Sequence, residues 1–344
     1  MITEYIALPS PPDSTALKKI ADLLCQGGLV AIPTETVYGL AANALDEKAV
    51  ARIFEAKGRP QDNPLIVHID SMLMLQKVVS HIPREAYLLA ERFWPGPLTM
   101  VLPRGKAIPA SVSAGLDTVA VRMPSHPAAA AIISSCGLPL AAPSANLSGS
   151  PSPTTANHVM ADLDGRIDAV ADGGPCSVGV ESTVVSLVSH PPRLLRPGGI
   201  TPEQLRSVLG EIEIDPAVTG KMMSSAASSP GMKYKHYSPK ADVTMLCGSL
   251  EQFCTYVRSF SGQNDIYALC FEGEEDTIPL PCVTYGRLDC PPEQSRRLFA
   301  ALRELDERGA KKVFARSPQP DGVGLAVFNR LQRAAAFQVI HLSH

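Results

Sequence analysis

Residues 54–68, FEAKGRPQDNPLIVH, place two cations, a glycine, two prolines and an asparagine between a helix-like run and an apolar one. Upstream, DEKAVARIFEAKG (residues 46–58) reads as a helix with Asp46 as N-cap and Gly58 just past its end. Downstream, PLIVHI (residues 64–69) reads as a strand. A helix that passes into a strand through a short polar loop is the repeating unit of an α/β chain, and the same alternation continues in both directions.

Before it, STALKKIADLLCQGG gives a helix with Leu17, Ile20, Leu23 and Leu24 on one face, stopped by Gly27 and Gly28, and LVAIPT gives a strand. After it, strands are expected at LTMVLP, TVAVRMP, PLAAPS and STVVSLV, with helices at PREAYLLAERFW and HPAAAAIISSCG. Residues 1–209 therefore predict a mixed α/β domain. From Gly210 to residue 240 the chain lacks a sustained apolar period and is rich in Ser, Ala, Gly and Pro, which predicts an interdomain linker. Residues 241–344 alternate again: DVTMLCG, IYALCF, KKVFARS and FQVIHL are strand-like, separated by the helical runs SLEQFCTYVRSF, PPEQSRRLFAALRELDERG and GLAVFNRLQRAAA. That order predicts a smaller, Rossmann-like parallel α/β domain.

The 344 residues exceed the ~100 to 200 that one core usually supports, in keeping with two domains. Hydrophobic residues make up 45% and charged residues 19%, so there is ample surface to bury and no signature of disorder. A formal net charge of -3 supplies no global attraction for nucleic acid or acidic membranes, so any anion site must be built locally. Eight cysteines are scattered without a CxxC pair and read as free thiols. With no apolar leader and no apolar span of ~18 residues, the expected location is the cytoplasm.

Lys57 and Arg59 at a helix end complement the negative end of its dipole, and that alone would account for them. The same loop adds Asn63, and His68 lies on the following strand; Lys with Arg at this density favours a polyanion, Arg being able to bind phosphate oxygens bidentately. Thr34, Glu35, Thr36 and Tyr38 follow a strand, where α/β folds expose side chains to ligands, although a turn and cap fit the same residues. Ser144, Asn146, Ser148 and Ser152 occupy a small-residue loop that permits close approach by a ligand or forms a plain turn. DGGPCSVGVEST (residues 172–183) lacks the GK[ST] ending of a Walker loop; its Ser182 and Thr183 open a strand. Arg122 and Arg196 each lie near the end of an apolar strand, where a guanidinium needs an anionic partner from the protein or a ligand. No Ser-His-Asp arrangement, HExxH, catalytic carboxylate pair or zinc cluster emerges. What remains is a set of donors suited to a nucleotide and a small anionic molecule, with catalysis by positioning and charge stabilisation.

Taken in order, PTETVYGL, KGRPQDNPLIVH, TVAVRMP, APSANLSG and VESTVV with LLRPG resemble the YrdC family of threonylcarbamoyl-AMP synthases, and SSPGMKYKHYSPKA with the C-terminal α/β domain resembles its two-domain form. The resemblance covers nearly the whole chain. It implies formation of L-threonylcarbamoyl-AMP and pyrophosphate from L-threonine, bicarbonate and ATP, for N-threonylcarbamoylation of the adenosine beside the anticodon in tRNA. It implies ATP contacts from Lys57, Arg59, Asn63, Thr118, Ser144, Asn146, Ser152 and Arg196, with Lys57 and Arg59 stabilising charge at the α-phosphorus. It implies threonine contacts from Thr34, Thr36, His68, Arg122, Ala142 and Ser182. The linker is expected to act as a lid that adds Tyr234 or His236 to the ATP site. No protein-held metal is expected; Mg2+ would travel on the ATP phosphates. The onward partners would be the tRNA threonylcarbamoyl transfer machinery, with weak RNA binding and no membrane contact.

Two alternatives stand beside this reading: an RNA-binding or ribosome-associated module, disfavoured by the negative charge and by only 5% aromatic residues, and a carbamoyl-transferring enzyme with a different acceptor.

Overall fold

The computed structural model describes residues 2–9, 11–218 and 237–342. Its internal contacts divide the chain into two units: Met1–Ser148, Ser152–Ser177 and Glu181–Lys233 form the first, and Gly149–Pro151, Val178–Val180 and Tyr234–His344 the second. Two three-residue pieces from within residues 1–209 thus cluster with the C-terminal unit.

In the first unit the described strands are β1 (Glu4–Ala7), β2 (Val30–Ile32), β3 (Gly39–Asn43), β4 (Ile66–His68), β5 (Leu98–Pro103), β6 (Thr118–Arg122), β7 (Leu140–Ala141), β8 (Ala169–Asp172), β9 (Thr183–Ser186), β10 (Arg193–Arg196) and β11 (Glu213–Ile214). They form one mixed sheet in the order β1-β8-β2-β3-β7-β4-β6-β5-β9-β10-β11. The expected mixed α/β character is present.

The helix Glu47–Lys57 begins where the Asp46 carboxylate accepts from the amides of Lys48 and Ala49, at 2.9 and 3.3 Å. It ends at Gly58, whose φ of 59° is left-handed and turns the chain toward β4. Ala49, Val50, Ile53 and Phe54 are its buried face.

Strand alternation then separates core from site. Val67 of β4, Met100 of β5, and Val119 and Val121 of β6 enter the main core. Their neighbours Ile66, Val101 and Ala120 form a smaller apolar cluster with Val184 and Leu195. Since successive side chains point to opposite faces, His68, Thr99 and Arg122 share the face of that second cluster.

The second unit contains β12 (Asp242–Cys247), β13 (Ile266–Cys270), β14 (Cys282–Thr284), β15 (Lys312–Arg316) and β16 (Val339–His341), in the order β14-β13-β15-β12-β16. Every pairing among them is parallel, as the strand and helix alternation predicts. Ser249 and Gln252 close a capping box on the helix Leu250–Val257. Among the described residues no helix is long and apolar enough to cross a membrane.

The span from Gly210, expected as linker, is structured at its start. Glu213 and Ile214 pair with Arg193 and Leu194, and Ile212, Ala217 and Val218 are buried. At its other end Tyr237 is buried with its ring 5.3 Å from that of Phe299, so this aromatic packs inside the second unit. Tyr234 and His236 lie outside the described residues, as does most of the expected lid.

Candidate functional site

Arg122 ends β6 in register with His68 on one side and Thr99 on the other. Its guanidinium is fixed from three directions. Nε donates to the Gly96 carbonyl at 3.2 Å, Nη1 donates to Thr36 Oγ1 at 2.7 Å, and Nη2 forms an ion pair with Glu35 Oε1 at 2.7 Å that lacks hydrogen-bond alignment. The anionic partner required by a buried Arg122 is therefore Glu35, 87 residues earlier. Thr36 in turn lies 2.9 Å from Thr34 Oγ1, which donates to the Val37 carbonyl at 2.6 Å.

These groups titrate as a set. Burial is the largest single influence and would raise the Glu35 carboxyl, yet the Arg122 charge and the hydrogen bonds from Arg122 and the backbone of Glu35 and Ser125 together hold the pKa below the usual range. His68 is pushed down to about 3, first by burial and then by the Arg122 charge, so its imidazole is neutral at pH 7. His68 Nδ1 has no hydrogen-bond partner among the described residues.

A second group continues along the same sheet. Ser182 Oγ lies 2.8 Å from Thr99 Oγ1, and Arg196 donates from Nε to the Ser182 carbonyl and from Nη2 to its hydroxyl, at 3.0 and 3.1 Å. Ser152 donates to Glu181, the residue before Ser182. Thr118 opens β6, so it shares the Arg122 face about 13 Å away along the strand.

The third group shows what the Lys57 side chain touches within the protein. Its side chain is buried, and its ammonium donates to the backbone carbonyls of Ser144 and Asn146. Burial, followed by the neighbouring Arg59 charge, drives its pKa well below the ordinary lysine value. Lys57 therefore anchors the loop that carries Ser144 and Asn146. Arg59 is half-buried and donates to the Asn63 and Pro64 carbonyls at 3.4 and 3.2 Å. Both polar atoms of the Asn63 amide are buried without a hydrogen-bond partner. Ala142 is fixed by its amide, which donates to the Ile66 carbonyl at 2.9 Å.

In residues 172–183, Gly173 permits close packing and Gly174 a left-handed turn with φ of 89°. A Cβ on Gly173 would stand 2.7 Å from Pro33 Cγ, and Tyr38 donates to Asp172 and to the Gly174 carbonyl at 3.1 and 2.7 Å. From the sequence, Glu35 stood out only as part of the polar turn after β2, with no role of its own, and Thr99 and Glu181 did not stand out. For Glu35 the available signal was a carboxylate in the same short loop as two candidate ligand hydroxyls.

The sequence and the architecture have known counterparts. A family model described as "Telomere recombination", covering the Sua5, YciO and YrdC group, matches residues 22–198, and one described as "Threonylcarbamoyl-AMP synthase, C-terminal domain" matches residues 200–336. A threonylcarbamoyl-AMP synthase of Pyrococcus abyssi is 48% identical over 324 residues, 93% of this chain and 94% of that protein. The chain belongs to the threonylcarbamoyl-AMP synthase family. Another member, from Bacillus subtilis, is 46% identical over 342 residues, 98% of this chain and 97% of its own length. The solved structure of P. abyssi Sua5 complexed with L-threonine superposes with a TM-score of 0.94 at 45% identity, covering 99% of this chain and 100% of that one. The chain is thus an enzyme of the nucleotidyltransferase type, and both domains of the threonylcarbamoyl-AMP synthase family are present.

Proposed function

We propose that the chain condenses L-threonine, bicarbonate and ATP to L-threonylcarbamoyl-AMP and pyrophosphate, and that the product supplies threonylcarbamoylation of the adenosine beside the tRNA anticodon. The observation that carries this reading is the single sheet face on which His68, Thr99 and Arg122 lie in register beside an apolar floor of Ile66, Ala120, Val101 and Leu195. A short zwitterion suits the Arg122 end, and an elongated nucleotide suits the remainder out to Thr118. Membership of the synthase family and the threonine complex of the P. abyssi relative support the assignment.

On this reading Arg122, held by Thr36 and Glu35, pairs with the threonine carboxylate, while the neutral His68 is available to its hydroxyl. The carbamate of threonine attacks the α-phosphorus of ATP and pyrophosphate departs. Arg59 stabilises the charge that develops there, and Lys57 holds Ser144 and Asn146 against the nucleotide. Asn63, Ser152, Ser182, Arg196 and Ala142 complete the lining.

Among the described residues no three His, Cys, Asp or Glu side chains are grouped to hold a metal ion. This donor set fits a Mg2+ that arrives on the ATP phosphates with its waters, where it would screen phosphate charge. Isotope-labelled bicarbonate tests the proposal. Incubated with ATP and threonine, the protein should yield an adenylate that carries the label; an unlabelled product or none contradicts it.

A further inference from the structure

Glu35 is 5% exposed, and neither carboxylate oxygen makes a well-aligned hydrogen bond with the described residues. Its charged partner is Arg122 Nη2 at 2.7 Å, itself 4% exposed at the side chain, and the backbone amides of Glu35 and Ser125 add weaker support. A buried carboxylate left short of hydrogen bonds is costly unless something else uses it. Arg122 cannot turn away to compensate, because Gly96 and Thr36 hold its Nε and Nη1. The result is a fixed cation beside a fixed anion, which is the charge complement of an amino-acid zwitterion: carboxylate on Arg122, ammonium on Glu35.

We propose that Glu35 is a catalytic residue that binds the α-ammonium of the substrate amino acid and accepts its proton. This rests on the reading of threonine as substrate given above. One N–H bond breaks, an O–H bond forms on the Glu35 carboxylate, and the nitrogen lone pair is freed. The amine then combines with bicarbonate to give the carbamate and water, so charge and atoms balance without a further reactant.

The surroundings make this base conditional on substrate. Glu35 is faced by Arg122 from β6, His68 from β4, His126 at the start of the helix Pro127–Cys136, and Cys176 from the segment after β8. Burial lowers the pKa of both histidines and pushes the Cys176 thiol up to about 12, so those three are neutral near pH 7. Among these side chains Arg122 is the one that holds the Glu35 carboxyl down, with smaller help from the backbone amides of Glu35 and Ser125. A substrate carboxylate on Arg122 draws off that charge, and burial, which favours the protonated acid, then raises the basicity of Glu35 when an ammonium lies beside it.

The test compares wild type, Glu35→Gln and Glu35→Asp in the full chain, following pyrophosphate release across neutral and alkaline pH with threonine and bicarbonate added fresh or combined beforehand as threonine carbamate. With fresh reagents Glu35→Gln should lose roughly 100-fold in kcat at neutral pH and regain about tenfold per pH unit as solvent takes over the deprotonation. Preformed carbamate should restore it to near the wild-type rate, and Glu35→Asp should retain part of the neutral-pH activity. Wild-type turnover in Glu35→Gln, or a loss that neither pH nor preformed carbamate relieves in a folded protein, overturns the assignment. If Glu35→Gln does not fold, Glu35→Asp decides: a pH profile shifted toward alkaline values supports the proposal, and one superposable on wild type overturns it. Absence of threonine-dependent pyrophosphate from wild type would instead sink the proposed function.

Discussion

The carbonyl oxygen of Asn146 lies 2.6 Å from Nζ of Lys57, at the end of a helix that finished 89 residues earlier in the chain. A buried ammonium that also donates to Ser144 ties the helix terminus to the loop after β7. Two cations separated by one glycine therefore do different work: Lys57 is spent on backbone carbonyls, while Arg59 is half-buried at the edge of its loop.

That difference predicts separable phenotypes. Lys57→Ala strands two carbonyls and should cost on the order of 1–3 kcal/mol in urea unfolding as well as abolishing turnover. Arg59→Ala should stay within about 1 kcal/mol of wild type while losing nucleotide-dependent turnover. Equal stability losses in the two variants would erase the distinction.

Arg122→Gln leaves Glu35 buried opposite a neutral group and should destabilise by about 3–5 kcal/mol, with a raised threonine KM. The acid limb follows from the sign of the Glu35 shift. A carboxyl depressed below its unfolded value of 4.5 contributes stability that is present above that pH and is lost as pH falls through the folded pKa. Unfolding curves at pH 7 and pH 3 should show that loss in wild type and a smaller one in Arg122→Gln. An identical acid loss in both would remove the pair from the account.

His68 gives a second pH window. Its folded pKa near 3 lies below the unfolded value of 6.5, so between them the unfolded chain binds a proton that the folded chain does not. Stability should therefore fall as pH drops from 6.5, by on the order of 2 kcal/mol at pH 5. The His68→Gln variant should lack this part of the decline, and a full decline in the variant would argue that His68 is accessible to solvent.

Where local chemistry decides, the fold could be read from the sequence. Asp46 and Gly58 bracket the helix Glu47–Lys57, and the branched residues of residues 64–69 mark β4. β3 was not legible: GLAAN has no strand-forming side chains, and its conformation comes from antiparallel pairing with β2 and β7. β1 and β8 escaped for the same reason, since Glu4–Ala7 is a strand because it pairs with Ala169–Asp172. The site was legible as a set of residue types because five ordered motifs carry it. The roles were not. The bonds from Lys57 to the Ser144 and Asn146 carbonyls span 87 and 89 residues, and the importance of Glu35 depends on Arg122, which the chain brings to it only after folding.

The central claim is that the Arg122 end of the sheet takes threonine while ATP reacts along the same face. It is tested most directly by pyrophosphate release from ATP in a matrix of additions. The account predicts release only when threonine and bicarbonate are both present, at a rate unchanged by tRNA. Release that needs RNA, or that proceeds with either small substrate left out, would contradict it.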